Sequence, residues 1–166
     1  MIVILYNLRS LHNIGSIFRT SDGAGVRKIY LCGYTSAPVD EFGASRTQLA
    51  KTALGAEHMV LWEKKRSATA LIDRLRKEGY QIFAVELDKR SVPYQKVKLS
   101  DRELERTVLV MGSEVKGLTP GILKRTDKIL EIPMLGKKES LNVSVAFGVV
   151  AYGLRFNSRD KNGGKR

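Results

Sequence analysis

At positions 140–146 the chain reads Ser-Leu-Asn-Val-Ser-Val-Ala, and it reaches this run through Ile-Pro-Met-Leu-Gly at positions 132–136. This order predicts the end of a strand, a loop and the start of an apolar helix. Ser140 has the side chain of a helix N-cap, and Asn142 adds a donor and an acceptor within the same turn. The N–H groups of a first helical turn have no partner inside the helix, so they point at whatever occupies the loop. An ordinary N-cap followed by an asparagine without a functional role would give the same sequence.

The composition predicts one globular domain with a strongly basic character. The chain has 166 residues, and 29 Lys and Arg against 17 Asp and Glu give a formal net charge of +12. We expect a single domain over residues 1–157 and a basic, disordered tail over residues 158–166. Excess positive charge favours a polyanion as partner, since each neutralised phosphate releases counterions. A basic surface without such a partner is the alternative, and the tail either binds RNA or is solvated.

Cysteine usage and hydropathy bear on where the protein works. Cys32 is the only cysteine, so we expect no internal disulfide, no cysteine-rich metal site and a cytoplasmic location. The longest uncharged stretch, at positions 140–154, is shorter than the ~18 to 20 residues that span a bilayer. We therefore expect no membrane insertion. Positions 1–6 lack the basic residues of a signal peptide and predict a first strand.

Short apolar runs alternate with segments of helical periodicity. Strands are predicted at positions 2–6, 28–32, 59–62, 81–87, 107–111 and 128–132, and helices at 13–25, 44–54, 65–78 and 140–155. This alternation, without a hairpin signal, predicts an α/β fold with a mostly parallel sheet and helices on both faces. Ligands of such sheets bind at the carboxyl ends of the strands. We therefore expect the loops at 86–93, 112–118 and 133–140 to converge.

The last predicted helix is apolar on every side, whereas a surface helix has a polar face. It is therefore either central to the core or covered by a second subunit. For a chain of this size we favour a homodimer.

Two further segments combine polar groups with glycines. Asn13 suits a helix start, and Gly15 permits close backbone approach. Arg19 projects from another side of the same helix, and its guanidinium suits a phosphate. The β-rich run before Gly112 turns at Ser-Glu, and a glycine at position 117 permits a second unusual backbone angle. A solvated arginine and a plain strand-to-helix turn would also explain these segments one by one.

Taken in order, three motifs resemble the SpoU family of RNA ribose 2′-O-methyltransferases, part of the SPOUT superfamily. They are Asn-x-Gly-x-x-x-Arg from position 13, Gly-Ser-Glu-x-x-Gly-Leu from 112, and Ile-Pro-Met followed by Ser-Leu-Asn-Val-Ser-Val-Ala. Lys-Thr-Ala-Leu-Gly-Ala-Glu at positions 51–57 looks like a further family segment. The resemblance implies an enzyme that uses S-adenosyl-L-methionine (AdoMet) and acts on tRNA or rRNA. It also implies a C-terminal trefoil knot forming the cofactor pocket, and a homodimer joined through knot elements.

The resemblance also implies roles for individual residues. The positions similar to the family's cofactor-binding residues are Leu87, Gly112, Ile132 and Leu141. The positions similar to its polar catalytic group are Asn13, Arg19, Glu114, Ser140 and Asn142. Val115 stands where the family often has glycine, and a β-branched residue resists a positive φ, which bears on the conformation of this loop.

The chemistry needs a ribose oxygen placed in line behind an already electrophilic methyl group, and no metal. Arg19 stays protonated in the working range. We therefore expect it to grip the target phosphate and stabilise the developing alkoxide, while water or the phosphate takes the proton. His12 is expected on the surface or as a capping residue, and His58 as a structural residue that opens an apolar strand. Tyr6 and Tyr34 are expected to pack in the core rather than to stack on a base.

Two other functions fit parts of this pattern. A catalytically silent RNA-binding or assembly factor would keep the fold but lose the Asn13, Arg19 or Asn142 position, and none is lost. Base methylation by a related knotted enzyme is disfavoured by the Ser-Leu-Asn segment.

Overall fold

The computed structural model describes residues 1–157 as alternating strands and helices. The strands are β1 (Ile2–Tyr6), β2 (Lys28–Cys32), β3 (Leu61–Lys65), β4 (Gln81–Val85), β5 (Val92–Pro93), β6 (Thr107–Met111) and β7 (Lys128–Glu131). The helices are α1 (Leu11–Gly23), α2 (Thr47–Ala53), α3 (Ala56–Met59), α4 (Ala68–Lys77), α5 (Asp101–Glu105), α6 (Pro120–Leu123) and α7 (Val143–Phe156), with a 3₁₀ turn at Tyr94–Lys96. Within these residues the strands form one sheet in the order β3-β2-β1-β6-β4-β7-β5. The pairings between them are parallel, which confirms the predicted α/β class.

The sheet is buried on both faces, and its central strands are apolar at nearly every position. Successive side chains of a strand point to opposite faces, so Val3 and Leu5 of β1 join one core while Ile2 and Ile4 join the other. Residues of α1 and α7 complete the first core, including the fully buried Phe18 and Phe147. Residues of α4 and α6 complete the second core.

The helix boundaries differ from the predicted ones where a cap lies in a different place. α1 begins two residues earlier than predicted, since the Ser10 hydroxyl caps it by accepting from the Asn13 backbone N–H at 3.2 Å. Asn13 is therefore inside the first turn and is not the cap. α4 begins at Ala68 behind the cap Ser67, where a helix from position 65 was predicted. The predicted helix at 44–54 is shorter, since only Thr47–Ala53 is helical.

The stretch between α2 and α4 corrects two predictions. The strand predicted at 59–62 is β3 at Leu61–Lys65, because Ala56–Met59 forms the short helix α3. His58 lies in this helix, and its side chain is 71% exposed. It does not open a strand, so the prediction of a structural histidine in an apolar strand was wrong. The elements β5, α5 and α6 were not predicted, since they are short and carry little periodicity.

The start of α7 overturns one prediction for Ser140. The helix begins at Val143, and its N-cap is Asn142, whose side-chain oxygen accepts from the Ser144 backbone N–H at 2.9 Å. Ser140 lies in the preceding loop and is exposed. Either residue type can cap a helix, so the local sequence alone did not separate them.

The strand order reverses direction between β1 and β6. β1 lies between β2 and β6, so the chain fills the sheet in one direction up to β3 and then crosses to the other side of β1. In parallel sheets a ligand binds outside the carboxyl ends of the strands at such a reversal. Among residues 1–157 no helix is long and apolar enough to cross a membrane.

Candidate active site

A cavity of about 580 Å³ opens at the carboxyl ends of β4, β6 and β7. Its walls come from three segments that begin at Val85, Met111 and Leu130. The predicted convergence of the loops that follow these strands is therefore confirmed. The lining includes seven residues singled out from the sequence: Leu87, Gly112, Glu114, Ile132, Ser140, Leu141 and Asn142.

The loop after β6 is held closed by close backbone contact. A Cβ on Gly112 would lie 2.7 Å from the Gly117 carbonyl carbon and 2.8 Å from the Leu118 nitrogen. Backbone atoms cannot move aside cheaply, so only glycine fits at this position. Ser113 lies opposite Gly117 in an isolated bridge, and its hydroxyl accepts from the Val115 N–H at 3.3 Å. The loop therefore forms a tight, preformed edge of the cavity.

Glu86 is a cavity residue that the sequence did not single out. Its carboxylate accepts from the Leu118 N–H at 2.8 Å and from the Leu87 N–H at 3.0 Å. It thus fastens the end of the 112–118 loop to the end of β4. Nothing in the local sequence marks Glu86 except its place in a loop that was expected to reach the site.

Val115 does not distort this loop. Among residues 1–157, the non-glycine residues with positive φ are Asn7 and Leu54. Val115 therefore avoids the left-handed region, and its side chain is 76% exposed. The loop therefore accommodates valine at position 115 without a positive φ.

A polar network joins the cavity to the start of α1. The Asn13 side-chain N–H donates to Glu114 Oε1 at 3.1 Å, and the Asn142 amide donates to Asn13 Oδ1 at 3.2 Å. The backbone N–H groups of Arg9 and Ser10 donate to the same carboxylate at 3.3 Å each. Three predicted catalytic residues from distant parts of the chain are thus in direct contact.

The network keeps Glu114 ionised. Burial raises the pKa of this carboxyl, but the hydrogen bonds it accepts from backbone N–H groups and from Asn13 outweigh burial and leave the pKa below its usual value. A carboxylate that accepts several N–H groups is stabilised in its charged form. Glu114 is therefore an anion at neutral pH.

Arg19 lies apart from this network. It is exposed and lines a second, shallower depression with Ser16, Thr20, Asp22, Gly23, Lys51, Thr52 and Tyr152. This depression is formed by α1, α2 and α7, whereas Asn13 is hydrogen-bonded to Glu114 and Asn142 of the cavity lining. Within one chain, the structure does not bring Arg19 together with the other predicted catalytic residues.

Of three other residues with predicted positions, one differs from its prediction. His12 is exposed, as expected of a surface histidine. Tyr6 packs against the second core, as expected. Tyr34 is 50% exposed, so the prediction that it packs in the core was wrong.

The fold and cavity together define an α/β protein with a cavity at the carboxyl edge of a parallel sheet. The sequence matches the SpoU rRNA Methylase family over residues 1–152. The chain therefore belongs to this family, as the motifs predicted.

Individual relatives support the same assignment. The tRNA (guanosine(18)-2′-O)-methyltransferase of Aquifex aeolicus is 34% identical over 152 residues, which cover 92% of this chain and 67% of that protein. The 23S rRNA (guanosine(2553)-2′-O)-methyltransferase RlmP of Bacillus subtilis is 31% identical and covers 86% of this chain and 53% of that protein. The AdoMet-bound rRNA methyltransferase of Sinorhizobium meliloti has a similar structure, with a TM-score of 0.79 at 28% identity, over 92% of this chain and 54% of that one. The chain thus spans roughly half to two thirds of the curated relatives that it matches.

Proposed function

We propose that this chain transfers the methyl group of AdoMet to a ribose 2′-hydroxyl of tRNA or rRNA. The observation that carries the proposal is the contact of Asn13, Glu114 and Asn142 at the rim of the cavity, in a member of the SpoU family. These polar groups come from three motifs that are far apart in sequence. The network offers donors and a negative charge where a reacting sugar would meet a methyl donor.

The residues around the cavity fit AdoMet. The 112–118 loop, closed on itself at Gly112, forms one wall of the cavity, and apolar walls come from Leu87, Ile132 and Leu141. The Glu86 and Glu114 carboxylates lie in the same lining and complement a positively charged sulfonium. When bound, AdoMet supplies an electrophilic methyl group.

The chain's own residues would then position and activate the sugar. Asn142 and Asn13 are hydrogen-bonded to each other and would orient the ribose at the rim of the cavity. Glu114 holds the start of α1 against the cavity. Arg19 stays protonated, grips a phosphate of the substrate and stabilises the negative charge that develops on the ribose oxygen. The proton leaves to water or to the phosphate.

In a homodimer, Arg19 of one subunit would lie near the cavity of the other. α7 has one buried face and an opposite stripe of Val145, Val149, Tyr152 and Phe156, spaced by four, three and four residues. Val145 is 50% exposed and Tyr152 is 40% exposed. Tyr152 also borders the depression that contains Arg19. A second copy seated on this stripe would cover it and would place a partner's cavity near Arg19.

Three further expectations remain predictions. The C-terminal trefoil knot follows from the family resemblance, and a cytoplasmic location follows from the single cysteine. The proposed basic tail at 158–166 lies outside the described residues. The net charge of +12 is consistent with an RNA partner.

Methyl transfer from labelled AdoMet to bulk tRNA and to bulk rRNA tests the proposal. A 2′-O-methyl group blocks alkaline cleavage of the adjacent phosphodiester, so labelled dinucleotides that survive alkali identify ribose methylation. Label in alkali-sensitive mononucleotides would indicate base methylation instead. RNA binding without label transfer would indicate a silent binding factor, and either result would overturn the proposal.

A further inference from the structure

Two exposed side chains lie against each other just outside the cavity. The Arg9 guanidinium carbon is 5.8 Å from the centre of the Tyr34 ring, a cation–π distance. Tyr34 follows β2 and Arg9 follows β1, which are neighbouring strands of the sheet. Both side chains are exposed, and the tyrosine is half exposed. We name these two residues the Arg9–Tyr34 pair.

The backbone beneath Tyr34 is rigid. The Tyr34 N–H donates to Asn7 Oδ1 at 3.1 Å, and Asn7 itself has a positive φ of 57°. Gly33 has a φ of 62°, and a Cβ there would collide with the Asn7 side chain. Asparagine and glycine are the residues that adopt this conformation most readily. The sequence thus provides the special backbone that presents the ring.

The residue after Tyr34 anchors the same loop to β1. Thr35 is fully buried, and its hydroxyl donates to the Leu5 carbonyl at 3.0 Å and accepts from the Leu8 N–H at 3.1 Å. A buried hydroxyl with both bonds made resists displacement. The exposed aromatic ring is therefore held on a fixed support.

Arg9 connects this support to the cavity. Its backbone N–H donates to Glu114 Oε2 at 3.3 Å, and Glu114 lines the cavity. The Arg9–Tyr34 pair thus lies directly beside the network that would receive the target ribose. Because it is half exposed, the Tyr34 ring contributes little to the apolar core. Together with the Arg9 guanidinium it offers a flat stacking surface and a positive charge to a ligand.

We propose that an unpaired base of the RNA stacks on the Arg9–Tyr34 pair and so positions the target ribose at the cavity. This inference rests on the proposed methyltransferase function and names a recognition element for it. Aromatic side chains stack on every type of base, and arginine adds a charge that attracts the nearby phosphate. The pair would act in RNA binding, whereas the cavity binds AdoMet. Tyr34 and Arg9 are therefore positioning residues.

The test compares Tyr34→Leu, Tyr34→Phe and Arg9→Ala with the wild type, using bulk tRNA and bulk rRNA. We expect Tyr34→Leu to raise the KM for RNA by about tenfold, while kcat changes little and the Kd for AdoMet is unchanged. Tyr34→Phe keeps the ring and should restore nearly all RNA affinity. Filter binding of the same RNAs gives a second measurement that does not depend on methyl transfer.

A matched control exists at the opposite edge of the sheet. The Arg106 guanidinium carbon lies 5.3 Å from the centre of the Tyr80 ring, and Tyr80 precedes β4. Arg106→Ala removes a cation–π contact of the same kind far from the cavity, and we expect it to leave the KM for RNA unchanged. Equal effects of Arg9→Ala and Arg106→Ala would reduce the pair to ordinary surface charge and overturn the inference.

A substrate change completes the test. Once the methylated nucleotide is mapped, oligonucleotides with an abasic site at that position or beside it can be compared. If a base stacks on Tyr34, removing that base and removing the ring break the same contact. The loss of RNA affinity caused by the abasic site and the loss caused by Tyr34→Leu will then not add. Full additivity at every tested position, or a KM for Tyr34→Leu within twofold of wild type, contradicts the stacking. Absence of any methyl transfer by the wild type contradicts the proposed function but not the stacking. In that case filter binding still measures whether RNA binding depends on Tyr34.

Discussion

The Asn13 side-chain amide donates a hydrogen bond to the Glu114 carboxylate at 3.1 Å, across a separation of 101 residues. This contact joins the first helix to the loop after β6. The same carboxylate accepts from two backbone N–H groups that precede α1. Glu114 therefore holds two motifs in one place.

Replacing Glu114 should separate these motifs. We expect Glu114→Ala to raise the Kd for AdoMet by about tenfold and to lower methyl transfer further, since N–H donors lose a charged acceptor. Glu114→Gln keeps one acceptor oxygen, so its AdoMet affinity and methyl transfer should fall less than those of Glu114→Ala. Calorimetry with AdoMet measures the first effect, and Glu78→Ala, at the other edge of the sheet, is the control. An unchanged Kd for Glu114→Ala would show that the contact does not shape the cavity.

The lowered pKa of Glu114 predicts the pH range over which the network persists. The folded pKa lies below the ordinary value of 4.5. The carboxylate's contribution is thus fully present above about pH 4.5 and is lost as the pH falls through the folded pKa. Thermal unfolding of wild type and Glu114→Gln should therefore differ by a constant amount from pH 6 to 8 and converge in acid. Convergence already near pH 7 would contradict the assigned direction.

Gly112 and Gly136 make a matched pair for the cavity edge. A Cβ on Gly112 meets backbone atoms of Gly117 and Leu118, whereas a Cβ on Gly136 meets nothing within 4 Å. We expect Gly112→Ala to abolish AdoMet binding and to destabilise the fold by about 1–3 kcal/mol. Gly136→Ala should bind normally. Wild-type affinity in Gly112→Ala would disprove the close contact.

Arg19→Lys tests the bidentate role of the guanidinium. Lysine keeps the charge but not the planar fork. We expect methyl transfer to fall by about a hundredfold with an unchanged Kd for AdoMet, because Arg19 does not line the cavity proposed to bind AdoMet. Arg76→Lys, on α4, serves as the control and should retain activity. Nearly intact activity in Arg19→Lys would mean that charge alone suffices.

Val145→Asp tests the proposed dimer. The side chain is half exposed, so the monomer should fold with little loss of stability. A charge in the α7 stripe should prevent the second copy from binding, giving a monomer by sedimentation and no methyl transfer. Met59→Asp, at another exposed apolar position, should sediment as the wild type does. A dimeric Val145→Asp protein would place the interface elsewhere.

Cys32 should be unreactive in the folded protein. Its side chain is fully buried, and burial raises the pKa of its thiol to about 12 despite the nearby Lys64 and Lys65. The thiolate is the reactive form, so iodoacetamide at pH 8 should label the unfolded chain and spare the native one. The unfolded value is 9.0, so stability is unaffected below about pH 9 and falls as the pH rises towards 12. Cys32→Ala should lack this alkaline loss, and fast native labelling would contradict the prediction.

Sequence patterns were most informative where the physics is local or strongly periodic. The apolar runs at β1, β2 and β6 fit buried parallel strands, and the glycine motif at position 112 fits a tight turn. Helix boundaries were predicted less accurately. A boundary depends on which side chain reaches the free N–H groups of the first turn. The caps are Ser10 for α1, Ser67 for α4, and Asn142 rather than Ser140 for α7. Short elements such as β5 have too few residues to produce a period.

The structure brings several of the predicted site residues together, but the sequence did not predict which of them are in contact. Asn13, Glu114 and Asn142 were named from motifs, and the structure brings them into contact. Arg19 was grouped with them by the motif, and it lies on another side of α1, as its spacing of six residues from Asn13 predicted. The sequence analysis did not single out the contacts of Glu86 or of the Arg9–Tyr34 pair, since these contacts are made with neighbours that are distant in sequence.

By itself, the sequence determined the family, the alternation of strands and helices, the basic charge and the polar residue types available for chemistry. Those properties follow from composition, period and local backbone preference. Only the tertiary structure decided which loops share one cavity, which residue caps α7, and which aromatic ring stays exposed beside it. Strand order brings together residues more than a hundred positions apart, and no local preference encodes that order.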